Sequence, residues 1–171
     1  MNSAALLTDA FGRVREAVHE AVEGLGEDVL AARVDPEANS IAWLVWHLTR
    51  VQDDHLAAAF GTGQLWEAEG WRERFGLPFP KEATGYGQTS ARAGAVRSSA
   101  ELLLGYHDAV HARTVELVGA LRDADLDRVV DASWDPPVTL GVRLVSVLAD
   151  DLQHAGQAAY ARGVVERREN P

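Results

Sequence analysis

Apolar side chains recur at intervals of three and four residues along four long segments of the chain. This spacing places them on one face of an α-helix, so the pattern predicts four amphipathic helices. In the second segment the first two turns, from Ile41 to Trp46, are apolar on all sides, which predicts a helix buried from several directions. The predicted helices run from Asn2 or Ser3 to Gly24, from Ile41 to Phe60, from Ser98 to Leu121 and from Leu140 to Gly163.

Capping residues and helix breakers set the boundaries of these predicted helices. The pair Asn39-Ser40 supplies good N-caps for the second helix, and Gly61 ends it. The pattern Ser98-Ser99-Ala100-Glu101 is typical of a capping box at the start of the third helix. The fourth helix follows the break at Pro136-Pro137, with Thr139 as its N-cap.

The sequence shows no convincing alternation of apolar and polar residues of the kind that indicates a β-strand, and no internal repeat. Four long helices with an apolar face each predict an all-α fold, a four-helix bundle formed by a single domain over 1–171. Residues 61–97, between the second and third helices, are rich in glycine, proline and aromatic residues. Since such long loops are uncommon in compact domains, we expect this connector to pack over one end of the bundle.

Composition narrows the classes of function. The 171 residues are 47% hydrophobic and 25% charged, which is typical of a soluble globular protein, and the net charge is −10. An acidic chain is repelled by phosphates, so we expect neither nucleic-acid nor anionic-membrane binding. Without cysteine, the chain has no disulfide, thiolate metal site or cysteine nucleophile. The sequence contains neither a signal-peptide pattern nor an apolar run of ~20 residues, so we expect a cytoplasmic protein.

The six histidines and nearby carboxylates are the candidates for chemistry. Asp150 and His154 are four residues apart on the fourth helix, so both side chains can reach one ion. They belong to a polar seam on an otherwise apolar helix, which also includes Arg143, Ser146 and Gln157. By spacing alone, this seam is either half of a metal site or simply the solvent-exposed face.

Two other arrangements compete with that pair. His47 has large apolar neighbours on its helix, so its imidazole needs a partner, either as a core histidine or as a metal ligand. His55 lies near the end of the same helix and is expected at the surface. His107 and His111, four residues apart on the third helix, offer two imidazoles, and spacing alone does not rank them below Asp150 and His154.

A family resemblance, carried by two segments of the chain, distinguishes between these candidate sites. NSIAWLVWHLTRVQDD (39–54) and DLQHAGQ (151–157) resemble the DinB-like superfamily, most closely its actinobacterial branch of mycothiol-dependent maleylpyruvate isomerases and S-transferases. The first segment contains the signature His-Leu-x-Arg-x-x-Asp and the second contains His-x-Gly-Gln. The resemblance implies an up-down-down-up four-helix bundle with a long loop between helices 2 and 3.

The resemblance also implies a divalent metal bound by His47, Asp150 and His154. The family usually has His or Glu where this chain has Asp150. Because aspartate is shorter, we expect the ion either to lie closer to this helix or to be bound by the carboxylate through a water molecule. Three nitrogen and oxygen ligands leave coordination positions open, which is typical of a catalytic site. Zn²⁺ is the expected ion and Ni²⁺ the alternative, because such a site discriminates poorly between metals.

The implied reaction is a metal-activated thiol transfer or isomerisation. Mycothiol, or a similar external low-molecular-weight thiol, would place its sulfur at the open position, and the thiolate would attack a small electrophile. Arg50 and Gln157 are the predicted catalytic residues, while Trp43 and Arg50 are predicted to bind the cofactor. The alternative for Arg50 is an ion pair with Asp53 or Asp54, and the alternative for Trp43 is a place in the core.

Two other functions stay open at this point. A hydrolase on the same bundle would use the metal to activate water and would need Asp151, Asp53 or Asp54 as a general base. A non-enzymatic helical module would bind a small ligand or a partner without stoichiometric metal. Apolar residues on several faces of the second and fourth helices also favour a homodimer.

Overall fold

The computed structural model describes residues 1–169, so the last two residues of the predicted domain lie outside the described part. It is mostly helical, as predicted, and within these residues every helix is too short or too polar to cross a membrane. The elements are α1 (Ser3–Val22), α2 (Glu27–Ala31), α3 (Ile41–Phe60), α4 (Leu65–Ala68), α5 (Trp71–Phe75), α6 (Ser90–Ala93), α7 (Ala100–Gly119), a 3₁₀ helix (Asp123–Asp127), β1 (Val129–Asp131), β2 (Val138–Thr139) and α8 (Leu140–Glu169).

Local capping determines where α3 begins and ends. Ser40 accepts a hydrogen bond from the backbone N–H of Trp43 at 3.1 Å, and Gly61 ends the helix in the left-handed conformation with φ +67°. Both boundaries confirm the prediction. The predicted capping box before α7 is wrong, because Ser99 is the N-cap and accepts from Leu102 N–H.

The prediction for the end of the last helix is also wrong. Thr139 caps the start of α8 as expected, with Val142 N–H donating to its hydroxyl at 3.4 Å. The helix, however, passes through Gly163 without adopting positive φ and continues to Glu169. Val165 is buried two residues beyond the predicted end, so packing against the bundle extends the helix past its glycine.

Contacts between the four long helices establish an up-down-down-up order. α3 and α8 run antiparallel, since His47 lies beside His154 and His55 lies beside Arg143. α3 and α7 run parallel, and α7 runs antiparallel to α1. The contacts that give these last two directions are Thr49–His107 and Gln52–Thr114 for α3 and α7, and Arg15–Asp108 and Ser3–Asp123 for α1 and the α7 region.

The core consists of two apolar clusters with buried polar residues at their boundary. On α8, Asp151 lies between Val147 of one cluster and Ala155 of the other. Gln52 on α3 and Thr114 on α7 occupy corresponding positions, and the Gln52 amide donates to the Thr114 hydroxyl at 2.7 Å. Asp151 has no exposed surface and no hydrogen-bond partner among the described residues. Burial, with a smaller effect of the adjacent Asp150 charge, raises its pKa well above the ordinary value.

The connector 61–97 is more ordered than a packed loop, because it contains the short helices α4, α5 and α6. Its aromatic residues Trp66, Trp71 and Phe75 are buried around Tyr106 of α7, with ring centroids 5.3, 5.5 and 5.8 Å from that of the tyrosine. These contacts hold the first half of the connector against the bundle.

A two-stranded ribbon precedes α8. β1 pairs antiparallel with β2, with Val129 opposite Thr139 and Asp131 opposite Val138. The expectation that the chain has no strand is therefore wrong at this point, because strands of three and two residues are too short to show alternation.

Candidate metal centre

His47, Asp150 and His154 converge between α3 and α8, where one ligand atom from each lies within 4.8 Å of the others. Asp150 and His154 lie on adjacent turns of one helix, and His154 Nε2 is 3.5 Å from Asp150 Oδ1. Antiparallel packing of α3 brings the His47 ring 4.8 Å from the His154 ring, at an interplanar angle of 74°. Within the described residues, this is the one group of three or more His, Asp or Glu side chains with such geometry.

One ring nitrogen of His47, Nδ1, is hydrogen-bonded to the connector. Its Nδ1 donates to the carbonyl oxygen of Thr84 at 2.6 Å, because a carbonyl can only accept. The lone pair of the neutral ring is therefore on Nε2, the atom available to a metal. His47 is 5% exposed, and burial lowers its pKa, which favours this neutral ligand form.

His154 is oriented from its own helix. Its Nδ1 donates to Gln157 Oε1 at 3.0 Å, which leaves Nε2 directed towards Asp150. The hydrogen bond with Asp150 raises the pKa of His154. Burial opposes ionisation of Asp150, but the hydrogen bond from His154 and the charges of both histidines outweigh it and lower the pKa of Asp150. The two side chains therefore favour positive charge between them, which is the position that a cation bound by both would take.

The donor atoms fit a divalent cation. Two imidazole nitrogens and one carboxylate oxygen are a ligand set that Zn²⁺ and similar ions accept, with coordination positions left over. Asp150 Oδ2 is also buried without a hydrogen-bond partner among the described residues. An unpaired buried carboxylate oxygen is costly, and a bound cation would satisfy it.

Residues 83–88, named here the strap, cover the His47 side of the centre. Besides the Thr84 carbonyl, two other groups of the strap accept hydrogen bonds from α3. Arg50 Nε donates to the Ala83 carbonyl oxygen at 3.2 Å, and Trp43 Nε1 donates to Gln88 Oε1 at 2.9 Å. Gly85 has φ +100°, and a Cβ added there would lie 2.7 Å from His47 Nδ1. Only glycine therefore allows the strap to lie this close to the ligand.

The structure separates the predicted catalytic and cofactor-binding residues. Gln157 is exposed and accepts a hydrogen bond from His154, and its catalytic role stays a prediction. Arg50 is fully buried, and its Nη1 lies 3.8 Å from Asp53 Oδ2, the ion pair that the sequence offered as the alternative. Trp43 is 6% exposed, and its ring centroid lies 4.5 Å from that of His47, on which it stacks. The indole therefore packs against a candidate metal ligand and leaves little surface for contact with a cofactor.

Arg50 instead holds the connector from inside. Its Nη1 donates to Gln64 Oε1 at 3.0 Å and to the Tyr106 hydroxyl at 3.3 Å, and its guanidinium lies 4.9 Å from the centroid of Trp66. These contacts, with the bond to Ala83, position the strap over His47. They give Arg50 no direct access to a molecule bound at the three candidate ligands.

The rival histidine pair does not join the centre. His107 is 1% exposed and donates from Nδ1 to the hydroxyl of Thr49, which itself donates to Val45 O. Burial, with a smaller effect of His111, lowers the pKa of His107 to about 3. His55 is more exposed, at 39% of its side chain, and accepts from Arg143 at 3.1 Å. His107 is therefore a core histidine.

Sequence reasoning did not identify the strap. Thr84 contributes through its backbone carbonyl, and any residue type has one, so no residue pattern marks it. Gly85 stands in a run typical of an ordinary turn, and only its distance from His47 gives it meaning.

Comparisons with known proteins agree with this geometry. Residues 10–158 match the family described as the DinB superfamily. The crystal structure of a conserved protein from Enterococcus faecalis is similar at a TM-score of 0.89 and 31% identity, covering 96% of this chain and 98% of that chain. The search of curated proteins finds no match. From the fold, the extent of the family match and this structural relative, the chain belongs to the DinB superfamily.

Proposed function

We propose that this protein is a divalent-metal-dependent transferase that attaches a small external thiol to an electrophilic carbon, or isomerises an enone through such an adduct. The observation that carries the proposal is the convergence of His47, Asp150 and His154 at a partly open position between two helices. Asp150 and His154 keep 34% and 18% of their side chains exposed, so a small molecule can approach the ligands. The chain has no cysteine, so the thiol must come from outside.

The residues around the centre supply binding and orientation. His47, Asp150 and His154 would hold a divalent cation, whose charge would favour the thiolate form of a small thiol at neutral pH. The Thr84 carbonyl keeps His47 in the tautomer that ligates through Nε2, and Gln157 does the same for His154. In transfer, the sulfur would bond to the electrophilic carbon while the leaving group departs with its electron pair. In isomerisation, the sulfur would add to the enone carbon while the π-electron pair moves onto the carbonyl oxygen, and rotation about the new single bond followed by expulsion of the thiolate would restore the double bond.

Hydrolysis at the same centre is less well supported, because two of the three candidate bases are buried in other surroundings and the third, Asp54, lies two helix turns from His47 along α3. Asp151 is fully buried in the core. Asp53 accepts from the backbone N–H groups of Leu65 and Trp66 and from the Tyr106 hydroxyl. Asp54 is bound by the amide of Gln64 at 2.7 Å. Thiol chemistry needs no such base, since the metal itself favours the thiolate.

Resemblance to the actinobacterial branch makes mycothiol the thiol that we propose to test first, with Zn²⁺ ahead of Ni²⁺. The small electrophile, the cytoplasmic location and the homodimer stay predictions. The non-enzymatic alternative differs in one measurable respect, because a helical module that only binds a ligand requires no stoichiometric metal.

Metal analysis of tagless protein, dialysed without chelator and with Zn²⁺ or Ni²⁺ added, is the first test. We expect about one ion per chain in the wild type and a loss of that ion in His154→Ala. His111→Ala is the matched control, because it removes the histidine that also follows another candidate ligand by four residues. An equal loss of metal in the control, or no metal in the wild type, would overturn the site.

The second test uses metal-loaded protein with mycothiol and a fluorogenic haloalkane such as monobromobimane. Each turnover forms one carbon–sulfur bond and releases bromide. We expect metal-dependent conjugation that His154→Ala abolishes and His111→Ala retains. A rate equal to that of thiol and haloalkane alone, with the metal in place, would exclude thiol transfer to such electrophiles.

A further inference from the structure

Gly156 lies inside the 30-residue helix α8, where glycine costs about 1 kcal/mol relative to alanine. Two physical reasons commonly explain such a glycine, and neither applies here. Its φ is not positive, and a Cβ added to it would meet no atom within 4 Å. Gly156 therefore borders open space, and it differs from other such helix glycines, for example Gly12, in lining a groove.

That space is a groove of about 450 Å³ between the segment 34–39 and residues 153–161 of α8. Its floor is apolar and includes Val34, Leu44 and Ala161. The exposed ring of Tyr160 forms part of one wall, with 69% of the residue accessible to solvent. A groove of this volume is large enough for a small organic molecule.

Three amide side chains supply the polar groups of the groove, namely those of Asn39, Gln153 and Gln157. Within the described part of the chain, no Asp, Glu, His, Lys or Arg side chain lines it. Arg33 and Arg168 donate to the carbonyl groups of Ala38 and Val34, which line the groove, and Arg33 also donates to Ser90 Oγ. Amides both donate and accept, so they match hydroxyl and amide groups better than a carboxylate.

Gln157 connects the groove with the metal centre. It lines the groove and also accepts the hydrogen bond from His154 Nδ1. From His154 to Tyr160 the helix rises about 9 Å, and Gln157 lies on the same side of the helix as His154 because three residues separate them. A molecule anchored at the metal ligands can therefore extend past Gln157 into the groove that Gly156 borders. On the other side of the centre, the strap at Gly85 contacts His47 and blocks the same approach.

We propose that this groove binds the uncharged body of the thiol whose sulfur reaches the metal. The proposal rests on the proposed function and names the class of thiol: a neutral molecule with amide or hydroxyl groups, in preference to one with carboxylates. Gly156 is a specificity-determining position, because any larger residue there would occupy the space of the thiol body.

The test uses Co²⁺-loaded protein and two thiols that differ in a single charge. N-acetyl-L-cysteinamide is neutral, and N-acetyl-L-cysteine carries a carboxylate in place of the amide. Binding of either sulfur to cobalt produces a thiolate-to-metal charge-transfer band, which gives its affinity. We expect the amide to bind at least tenfold more tightly than the acid.

Gly156→Leu is expected to weaken binding of the neutral thiol at least tenfold while the cobalt content and the spectrum without thiol stay unchanged. Gly12→Leu is the matched control, since Gly12 is also a helix-interior glycine whose added Cβ meets no atom within 4 Å. Gly156→Ala fills less space and is expected to raise the melting temperature, which shows that the fold tolerates a side chain there.

The outcomes separate the groove from the chemistry. If both thiols produce the band with equal affinity, or Gly156→Leu binds them as the wild type does, the groove proposal is wrong and the thiol chemistry survives. If cobalt binds and neither thiol produces a band, the proposed function fails and the groove proposal fails with it.

Discussion

His47 and Thr84 are 37 residues apart in the chain, yet His47 Nδ1 lies 2.6 Å from the carbonyl oxygen of Thr84. The hydrogen bond selects the tautomer that leaves Nε2 free to bind a metal. It also joins the longest connector of the bundle to the candidate centre. We therefore expect metal affinity to depend on the strap as well as on the three ligands.

Gly85→Ala is expected to lower metal affinity about tenfold or more, the usual effect of disturbing the support of a ligand histidine. The added Cβ would lie 2.7 Å from His47 Nδ1, so either the ring or the strap must move. Competition with a chromophoric chelator measures the affinity directly. Gly87→Ala is the control, because Gly87 also has positive φ, +69°, but its Cβ would meet no atom within 4 Å.

If Gly87→Ala loses as much metal affinity as Gly85→Ala, backbone strain in the strap is responsible and not contact with His47. Both variants are expected to lose stability, because alanine is unfavourable at positive φ. Only Gly85→Ala is expected to shift the metal-binding curve.

Separate substitutions of the adjacent residues Asp150 and Asp151 distinguish a metal ligand from a core residue. Asp150→Asn removes a candidate ligand charge and is expected to lose most of the bound metal. Asp151→Asn is expected to keep one ion per chain and to raise the free energy of unfolding at neutral pH by about 1 kcal/mol or more. Burial raises the pKa of Asp151, so folding at neutral pH must either protonate this carboxyl or bury its charge, and a neutral amide avoids that cost. Metal analysis and urea denaturation of both variants test this, and loss of metal from Asp151→Asn alone would reverse the assignment.

The lowered pKa of His107 predicts that the free energy of unfolding decreases in acid. Its pKa is about 3 in the folded protein, against an ordinary value of 6.5. Between these values the unfolded chain binds the proton and the folded protein does not, so the free energy of unfolding falls as the pH decreases. The decrease from this residue approaches about 1.4 kcal/mol per pH unit well below pH 6.5.

His107→Asn removes that titration. Urea denaturation at pH 7, 6 and 5 should therefore show a steeper loss of stability in the wild type than in the variant, although the variant starts lower at pH 7. Parallel curves for the two proteins would mean that folding does not lower the pKa of His107.

Arg50→Lys tests whether this residue contacts a substrate or positions the connector. Lysine cannot reproduce the bonds of the guanidinium to Ala83, Gln64 and Tyr106, so we expect a loss of about 1.5–3 kcal/mol in the free energy of unfolding. Arg15→Lys, at a partly exposed ion pair with Asp108, should cost less than about 1 kcal/mol. A raised KM for the thiol with unchanged stability would instead favour direct contact.

Much of the fold could be predicted because it is encoded locally. The stripe of apolar residues, the Ser40 cap and Gly61 determine α3 through contacts within a few residues. Asp150 and His154 were recognisable as a pair because one helix turn separates them. The end of α8 was not predictable in this way, since Val165 packs against the bundle and continues a helix that Gly163 alone would have ended.

By itself, the sequence determined the four long helices and two rival pairs of candidate ligands, while choosing between the pairs needed a family resemblance. Tertiary structure decided which pair meets His47, because only helix packing determines which faces of α3, α7 and α8 are neighbours. It also decided that Arg50 is a buried support and that the Thr84 carbonyl orients His47. These depend on contacts between residues far apart in the chain, and a backbone carbonyl or a missing Cβ becomes specific only once the fold has placed it.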